Sequence, residues 1–517
     1  MDSRCSSLDF CKYKTKWSSN SPCRTLSVKL FVSSTIHFPL FPSHSALSTQ
    51  FKSHAQHTSL QHSTEKHTTL LVETFHENRI LKTLFGKLSR MNSNPLQILQ
   101  DDGDWSKDHF WAVMRFLKET SRSKEALQVF DMWKNIEKSR INEVNYGKLI
   151  EFLGEVGLMD EAASLLRDMK SNALSPSLEI YNSLIHGFAR KGEFDNALFY
   201  FEEIEEMKLK PLTKTYNGLI QAYGDYRMYD EMNSCVKRME LEGCVPDDDT
   251  YNVLIRELAR GGLIRRMERV YRTLLSKRMS LQSSALIAML EVYVNLGILE
   301  KMEKAYRKVL NTKTPLNEGL IRKLARVYIE NHMFSRLEDL GLDIASRKGR
   351  TDLFWCLRLL SQACLLSKKG MSSIAYEMEI AKSSWNITVA NIIALAYLKM
   401  RDLRLLDAVL SDIQTKSVKP DIVTIGVFFD ADDVGFDGMR ALDAWRGMGL
   451  LEESVAMDTD PLVLTAFGKG HFLRSCEEMY SSLGPEAREK RVWTYHDLIE
   501  NVLKHNGKSS FLRAKTD

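Results

Sequence analysis

The densest group of chemically capable side chains in this 517-residue sequence is the acidic run DADDVGFD at 430–437. Asp430, Asp432 and Gly435 fall on positions 1, 3 and 6 of a calcium loop, and four neighbouring carboxylates are the raw material of a two-metal nuclease. The spacing argues against both. Position 5 is Val434 and position 12 is Ala441, where a calcium loop needs a bidentate glutamate. No strand–helix pattern flanks the run as a nuclease fold would require. It reads as a solvated turn.

Other routes to chemistry close in the same way. The eight cysteines include no C-x-x-C pair, and the five beyond residue 200 are widely scattered, which excludes a disulfide framework and a zinc ribbon. They read as buried or idle thiols in a reducing compartment. Five histidines (His37, His44, His54, His57, His62) lie near the N-terminus as polar filler. No Walker loop occurs, and no G-x-G-x-x-G follows a strand. The sequence predicts no catalytic residue, no metal site and no cofactor. What remains are amides that recur at a fixed interval, and basic runs such as RGGLIRRMERVYR at 260–272, whose Arg260, Arg265 and Arg266 are candidates for phosphate contact.

The interval belongs to helices. YNSLI at 181 returns as YNGLI at 216 and YNVLI at 251, each 35 residues on. Residues 143–177, 178–212, 213–247, 248–282, 283–317 and 318–352 align as six units without insertion. Their fourth column is Tyr146, Tyr181, Tyr216, Tyr251, Leu286 and Ile321, and their seventh is Leu149, Leu184, Leu219, Leu254, Met289 and Leu324. With the eighth column these make one apolar helix face. The twentieth column (Ala162, Ala197, Met232, Met267, Met302, Leu337) is the buried side of a second helix. Gly157, Gly192, Gly262 and Gly297 mark the turn between the two. A unit of this size cannot bury its apolar face alone and must stack on its neighbours.

The pattern extends upstream to 107 and, after a divergent segment at 353–386, downstream through 387–421. Two looser units, 422–456 and 457–491, and a final helix at 492–505 follow. The predicted fold is all-α, a right-handed superhelical solenoid of about 10–11 helix-turn-helix units. A link at 65–106 precedes it and a basic tail at 506–517 follows.

Residues 1–64 are a separate region. They hold 15 serines, seven basic residues and two acidic ones, the composition of an organellar transit peptide. Their Ser and Thr content favours the chloroplast, with the mitochondrion as alternative. Without this leader the chain carries 64 basic and 65 acidic residues, so no bulk field draws in nucleic acid and any such binding must come from a local stripe. No stretch reaches the roughly 18 apolar residues of a membrane span.

The units, with Y-N-x-L-I at the start, a central Gly, E-M or E-I closing the second helix and a terminal P or P-D, closely resemble the pentatricopeptide repeat family in its plain class of uniform 35-residue units. The resemblance spans nearly 400 residues. It implies organellar binding of single-stranded RNA, about one nucleotide per repeat, with the fifth and last residues of a unit contacting the base edge. Asn with Asp at those positions implies a pyrimidine, preferably uridine; an amide can both donate and accept toward a splayed base.

Carried onto this chain, the resemblance singles out Asn217 with Asp247 and Asn391 with Asp421 as full matches. Asn182 (with Leu212) and Asn252 (with Gln282) are half matches, while Gly147, Ile287 and Arg322 depart from the code. The expected function is a non-enzymatic adaptor for organellar single-stranded RNA, in transcript processing, splicing, stabilisation or translation, with other RNA-processing proteins as further partners and neither a membrane nor a small-molecule substrate. The alternative is a protein-interaction scaffold that has kept the solenoid and lost the code.

Overall fold

The structure is a computed structural model describing residues 94–505, except 103–106, 121, 137–141, 438–441, 443–444, 448 and 483–492, together with 82–84 and 86–88. The leader, the tail and most of the 65–106 link lie outside the described residues. Among the described residues the sole β pairing is an isolated bridge between Ser454 and Thr494. The chain divides into two compact units, one ending at Ala288 and the other beginning at Met289.

The first unit starts with α1 (Pro95–Asp102), α2 (Lys107–Glu119) and α3 (Ser123–Ile136). Four regular pairs follow: α4 (Glu143–Val156) with α5 (Met159–Ser171), α6 (Leu178–Lys191) with α7 (Phe194–Glu206), α8 (Thr213–Asp225) with α9 (Tyr229–Leu241), and α10 (Asp248–Arg260) with α11 (Ile264–Ser276). The first helices α4, α6, α8 and α10 pack on one another in series, and each second helix packs on its own first helix. This is the layering expected of units that cannot fold alone. Tyr146, Tyr181, Tyr216, Ala162, Ala197, Met232 and Met267 are all fully buried. Removing one such large side chain from water contributes about 1.5–3 kcal/mol.

The turn between helices needs a left-handed residue. Gly192 sits there with φ +82°, and the amides of Gly192 and Glu193 bond Ala189 O and Phe188 O to close α6. One period later Arg227 takes the same conformation at φ +60°, as do His332 and Arg401 further on. Stacking holds these side chains in a backbone region that glycine enters with less strain.

The second unit takes in the end of α12 (Ser283–Asn295), then α13 (Leu299–Leu310), α14 (Glu318–Glu330), α15 (Phe334–Lys348), α16 (Asp352–Cys364), α17 (Lys368–Ile380), α18 (Ile387–Met400), α19 (Leu403–Thr415) and α20 (Ile422–Asp432). The divergent segment 353–386 is a regular pair, α16 and α17. Its apolar first helix, with Trp355, Leu357, Leu359 and Leu360 buried, fills the layer without the family's sequence markers.

Beyond α20, over the stretch expected as units 422–456 and 457–491, the described elements are shorter. A 3₁₀ turn at Leu450–Glu452 leads into a non-helical segment, then α21 (Pro461–Phe467), α22 (His471–Ser482) and α23 (Tyr495–His505). Pro461 opens α21 at a position where its missing N–H costs nothing, and the Asp460 side chain caps it by accepting from Leu462 N at 3.0 Å. α22 packs on α20, and α21 packs on α14 with further contacts to α16 and α18.

Candidate nucleic-acid interface

The fifth residues of the units lie in the first turn or two of each first helix, and the last residue of a unit caps the next first helix. These two facts bring Asn217 and Asp247 together. Asp247 precedes α10 and accepts from Thr250 N at 2.8 Å, while its own amide donates to Thr250 Oγ1 at 3.2 Å, a reciprocal capping box. Asn217 Nδ2 donates to Asp247 Oδ1 at 3.3 Å, and Thr250 Oγ1 lies 2.7 Å from Asn217 Oδ1. The amide is oriented before any ligand arrives, and both Asn217 and Asp247 remain half-buried, not sealed. Burial pushes the Asp247 carboxyl up, but the hydrogen bonds from Thr250 and Asn217 outweigh it and hold the group below its ordinary value of 3.8. The pair is charged, aligned and reachable.

The other amides are placed differently. Asn252 is 1% exposed. Its Nδ2 donates to Asp248 O at 2.7 Å and Ser280 O at 2.8 Å, and its Oδ1 accepts from Gln282 N at 2.8 Å. Its hydrogen-bonding groups clamp the loop that follows α11. Asn182 is 4% exposed, and its Oδ1 has no hydrogen-bond partner, while its nominal mate Leu212 is 57% exposed and apolar. Gly147 and Ile287 are half-buried and bring no polar side-chain atom to the column.

The second full match, Asn391 with Asp421, is buried. Asn391 is 0% and Asp421 1% exposed. Asn391 Nδ2 donates to Asp421 Oδ1 at 3.0 Å and to Thr459 Oγ1 at 2.6 Å. Asp421 caps α20 through Val423 N and Thr424 N, both at 3.1 Å, and also accepts from Asp458 N and Thr459 N at 3.0 and 2.8 Å. A pair that matches the family's code is here a closed polar core.

The proposed phosphate contacts stand apart from the Asn217–Asp247 pair. Arg260 ends α10, eight residues or about 12 Å along the helix from Asn252. Its Nη1 lies 3.1 Å from the buried Glu257 carboxylate, which also takes Arg256 Nε at 2.9 Å. Arg265 and Arg266 are exposed at the start of α11, and Arg266 pairs with Asp230 at 3.0 Å. They form a basic face on a second helix, not a stripe beside the amides.

The acidic run at 430–437 forms the end of α20 and the turn after it. Asp430 Oδ1 accepts from Phe472 N at 2.8 Å, tying α20 to the start of α22, and burial raises its pKa. Among the described residues no group of three His, Cys, Asp or Glu side chains could hold a metal ion. No described helix is long and apolar enough to cross a membrane.

Sequence reasoning passed over Thr250, Thr459 and Asp460. Thr250 had a signal, because D-x-x-T at 247–250 is a capping-box spacing; Thr459 and Asp460 fall at the start of the looser unit 457–491, where the repeat markers are too weak to assign them a column.

A stack of 35-residue helix-turn-helix units with Asn and Asp gathered at the first-helix N-termini defines a class of repeat protein. The family described as the pentacotripeptide-repeat region of PRORP matches residues 114–302. The chain is 54% identical over 433 residues to the pentatricopeptide repeat-containing protein At4g14190, chloroplastic, of Arabidopsis thaliana, covering 83% of this chain and 86% of that protein. The chain belongs to the pentatricopeptide repeat family. Among solved structures it is similar to maize PPR10 (18% identity, TM-score 0.38, 80% of this chain covered), of which it spans 64%. It is also similar to yeast Rmd9p in complex with a 16-nucleotide target RNA (10% identity, TM-score 0.32, 84% of this chain and 94% of that one).

Proposed function

We propose that the protein is a chloroplast adaptor for single-stranded RNA that acts by binding, without catalysis, in transcript processing, splicing, stabilisation or translation. The observation that carries this reading is the Asn217–Asp247 pair, held in register by Thr250 and left accessible. Membership of a family of organellar RNA-binding proteins supports it. So do the transit-peptide composition of the leader and the chloroplast designation in the name of the Arabidopsis relative. The protein would occlude or remodel RNA by holding bases against its first helices.

The test is crosslinking followed by purification of the tagged protein and sequencing of the bound RNA. Enrichment of defined chloroplast transcripts is expected, and enrichment of none over a control solenoid sinks the proposal. Asn217→Ala should then weaken binding at one base position by about 1 kcal/mol, roughly fivefold, with thermal stability nearly unchanged. A uniform loss on all sequences would indicate phosphate contact or misfolding instead.

A second reading, a protein-interaction scaffold, is favoured by the sealing of Asn252 and of Asn391 with Asp421. It predicts that the same purification yields stoichiometric proteins and no RNA.

A further inference from the structure

The fifth residues of the first helices α14, α16 and α18 in the second compact unit, Arg322, Cys356 and Asn391, all face one segment of the same chain. That segment, 453–467, comprises the extended run before α21 and α21 itself. Arg322 Nε donates to Asp460 Oδ2 at 2.8 Å. Cys356, 3% exposed, lines with Asp460 the cavity beneath the segment. Asn391 donates to Thr459 Oγ1 at 2.6 Å. Two more bonds fix the register: Asp460 N donates to Thr388 Oγ1 at 3.0 Å, and Ile422 N donates to Ala456 O at 3.1 Å. From the far side, Tyr495 OH lies 3.0 Å from Ala456 N, and Val455 N donates to Trp493 O at 3.0 Å.

Thr459 gives the Asn–Asp pair what a base edge would give it. Its amide and hydroxyl stand 2.8 and 2.7 Å from Asp421 Oδ2, and its hydroxyl oxygen accepts from Asn391. Asn391 Nδ2 and Asp421 Oδ2 are thereby engaged, while Asn391 Oδ1 is buried without a hydrogen-bond partner. Arg322, which fits no base-reading pair, has its own reason: it anchors Asp460, a carboxylate that is itself largely buried.

We infer that residues 453–467 are a built-in occupant of the base-reading face, which closes the units around Arg322, Cys356 and Asn391 to RNA. This rests on the RNA-binding reading above. The RNA track then excludes these three units, and the code match at 391 and 421 holds the segment in place.

The full-length mature chain, with an oligouridine as RNA probe, separates the outcomes. Ultraviolet crosslinking with peptide mapping should place no crosslink on the α14, α16 or α18 peptides. Amide hydrogen exchange should show Asp458 and Thr459 protected to the same extent with and without RNA. Asn391→Ala should lower Tm by several degrees while changing base preference by less than about twofold. Thr459→Val, which leaves Asn391 in place, should do the same.

Crosslinks on the Asn391 or Asp421 peptides, RNA-induced loss of protection across 453–467, or a changed base preference in Asn391→Ala at unchanged Tm would each overturn the inference. If oligouridine and chloroplast RNA both fail to bind, the functional proposal falls. The occupant is then judged by exchange in the free protein alone, where Asp458 and Thr459 amides exchanging like an unstructured peptide would refute it.

Discussion

At the scale of single residues, one amide type does three jobs in this chain. Asn217 is held half-buried between Asp247 and Thr250, Asn252 clamps a loop, and Asn391 sits in a closed core. The difference lies in what each nitrogen and oxygen meets. Asn252→Ala leaves Gln282 N and two backbone carbonyls without their partner, so a loss of about 1–3 kcal/mol is expected by denaturant unfolding, with base preference unchanged. Asp247 gives a pH signature. Its folded pKa lies below the ordinary 3.8, so its stabilising contribution is present above that value and is lost as pH falls through the lowered one. Asp247→Asn should therefore flatten the stability curve below about pH 4, measured by urea unfolding from pH 7 to 3. A wild-type slope in the variant would assign the acid sensitivity to other carboxylates.

At the scale of elements, the first and second helices of each pair meet at one buried position, which is a small alanine in α5 and α7, and at one left-handed turn. Ala197 is fully buried in α7. Ala197→Phe should overpack the helix crossing and cost on the order of 1–3 kcal/mol, read as a drop in Tm. The turn offers the opposite change. Arg227 stands at φ +60° where neighbouring units have Gly192 and Gly262. Arg227→Gly removes that strain at some cost in unfolded-state entropy, so a net gain of roughly 0.5–1 kcal/mol is expected. A loss instead would show that the Arg227 side chain makes stabilising contacts.

At the scale of the whole molecule, charge balance limits how RNA can be held. With 64 basic and 65 acidic residues outside the leader, there is no bulk positive field, and two of the three candidate phosphate contacts, Arg260 and Arg266, already have carboxylate partners. The logarithm of affinity should fall with the logarithm of salt at a slope shallower than about −3, measured by titration between low and physiological salt. A steep slope would point to a phosphate track that the Arg260–Arg266 face does not explain.

The period, the helix pairs, the buried columns and the turn positions were legible in the sequence because each is dictated locally and repeated. A tyrosine that must pack against the next unit recurs every 35 residues, and an error in one unit is visible against the others. The capping role of Asp247 was legible too, through its spacing to Thr250. The fate of Asn252 and Asn391 was not. A fifth-position asparagine has the same local context whether it faces solvent, a loop carbonyl or Thr459. Burial depends on what crosses it from elsewhere in the chain, and residues 453–467 span the join of the two looser units, where the repeat markers are too weak to show a segment crossing that face. Sequence settled which atoms could read a base, because donor and acceptor types travel with the residue. Tertiary structure settled which of them are still open, because a hydrogen bond already made within the protein is no longer available to a ligand.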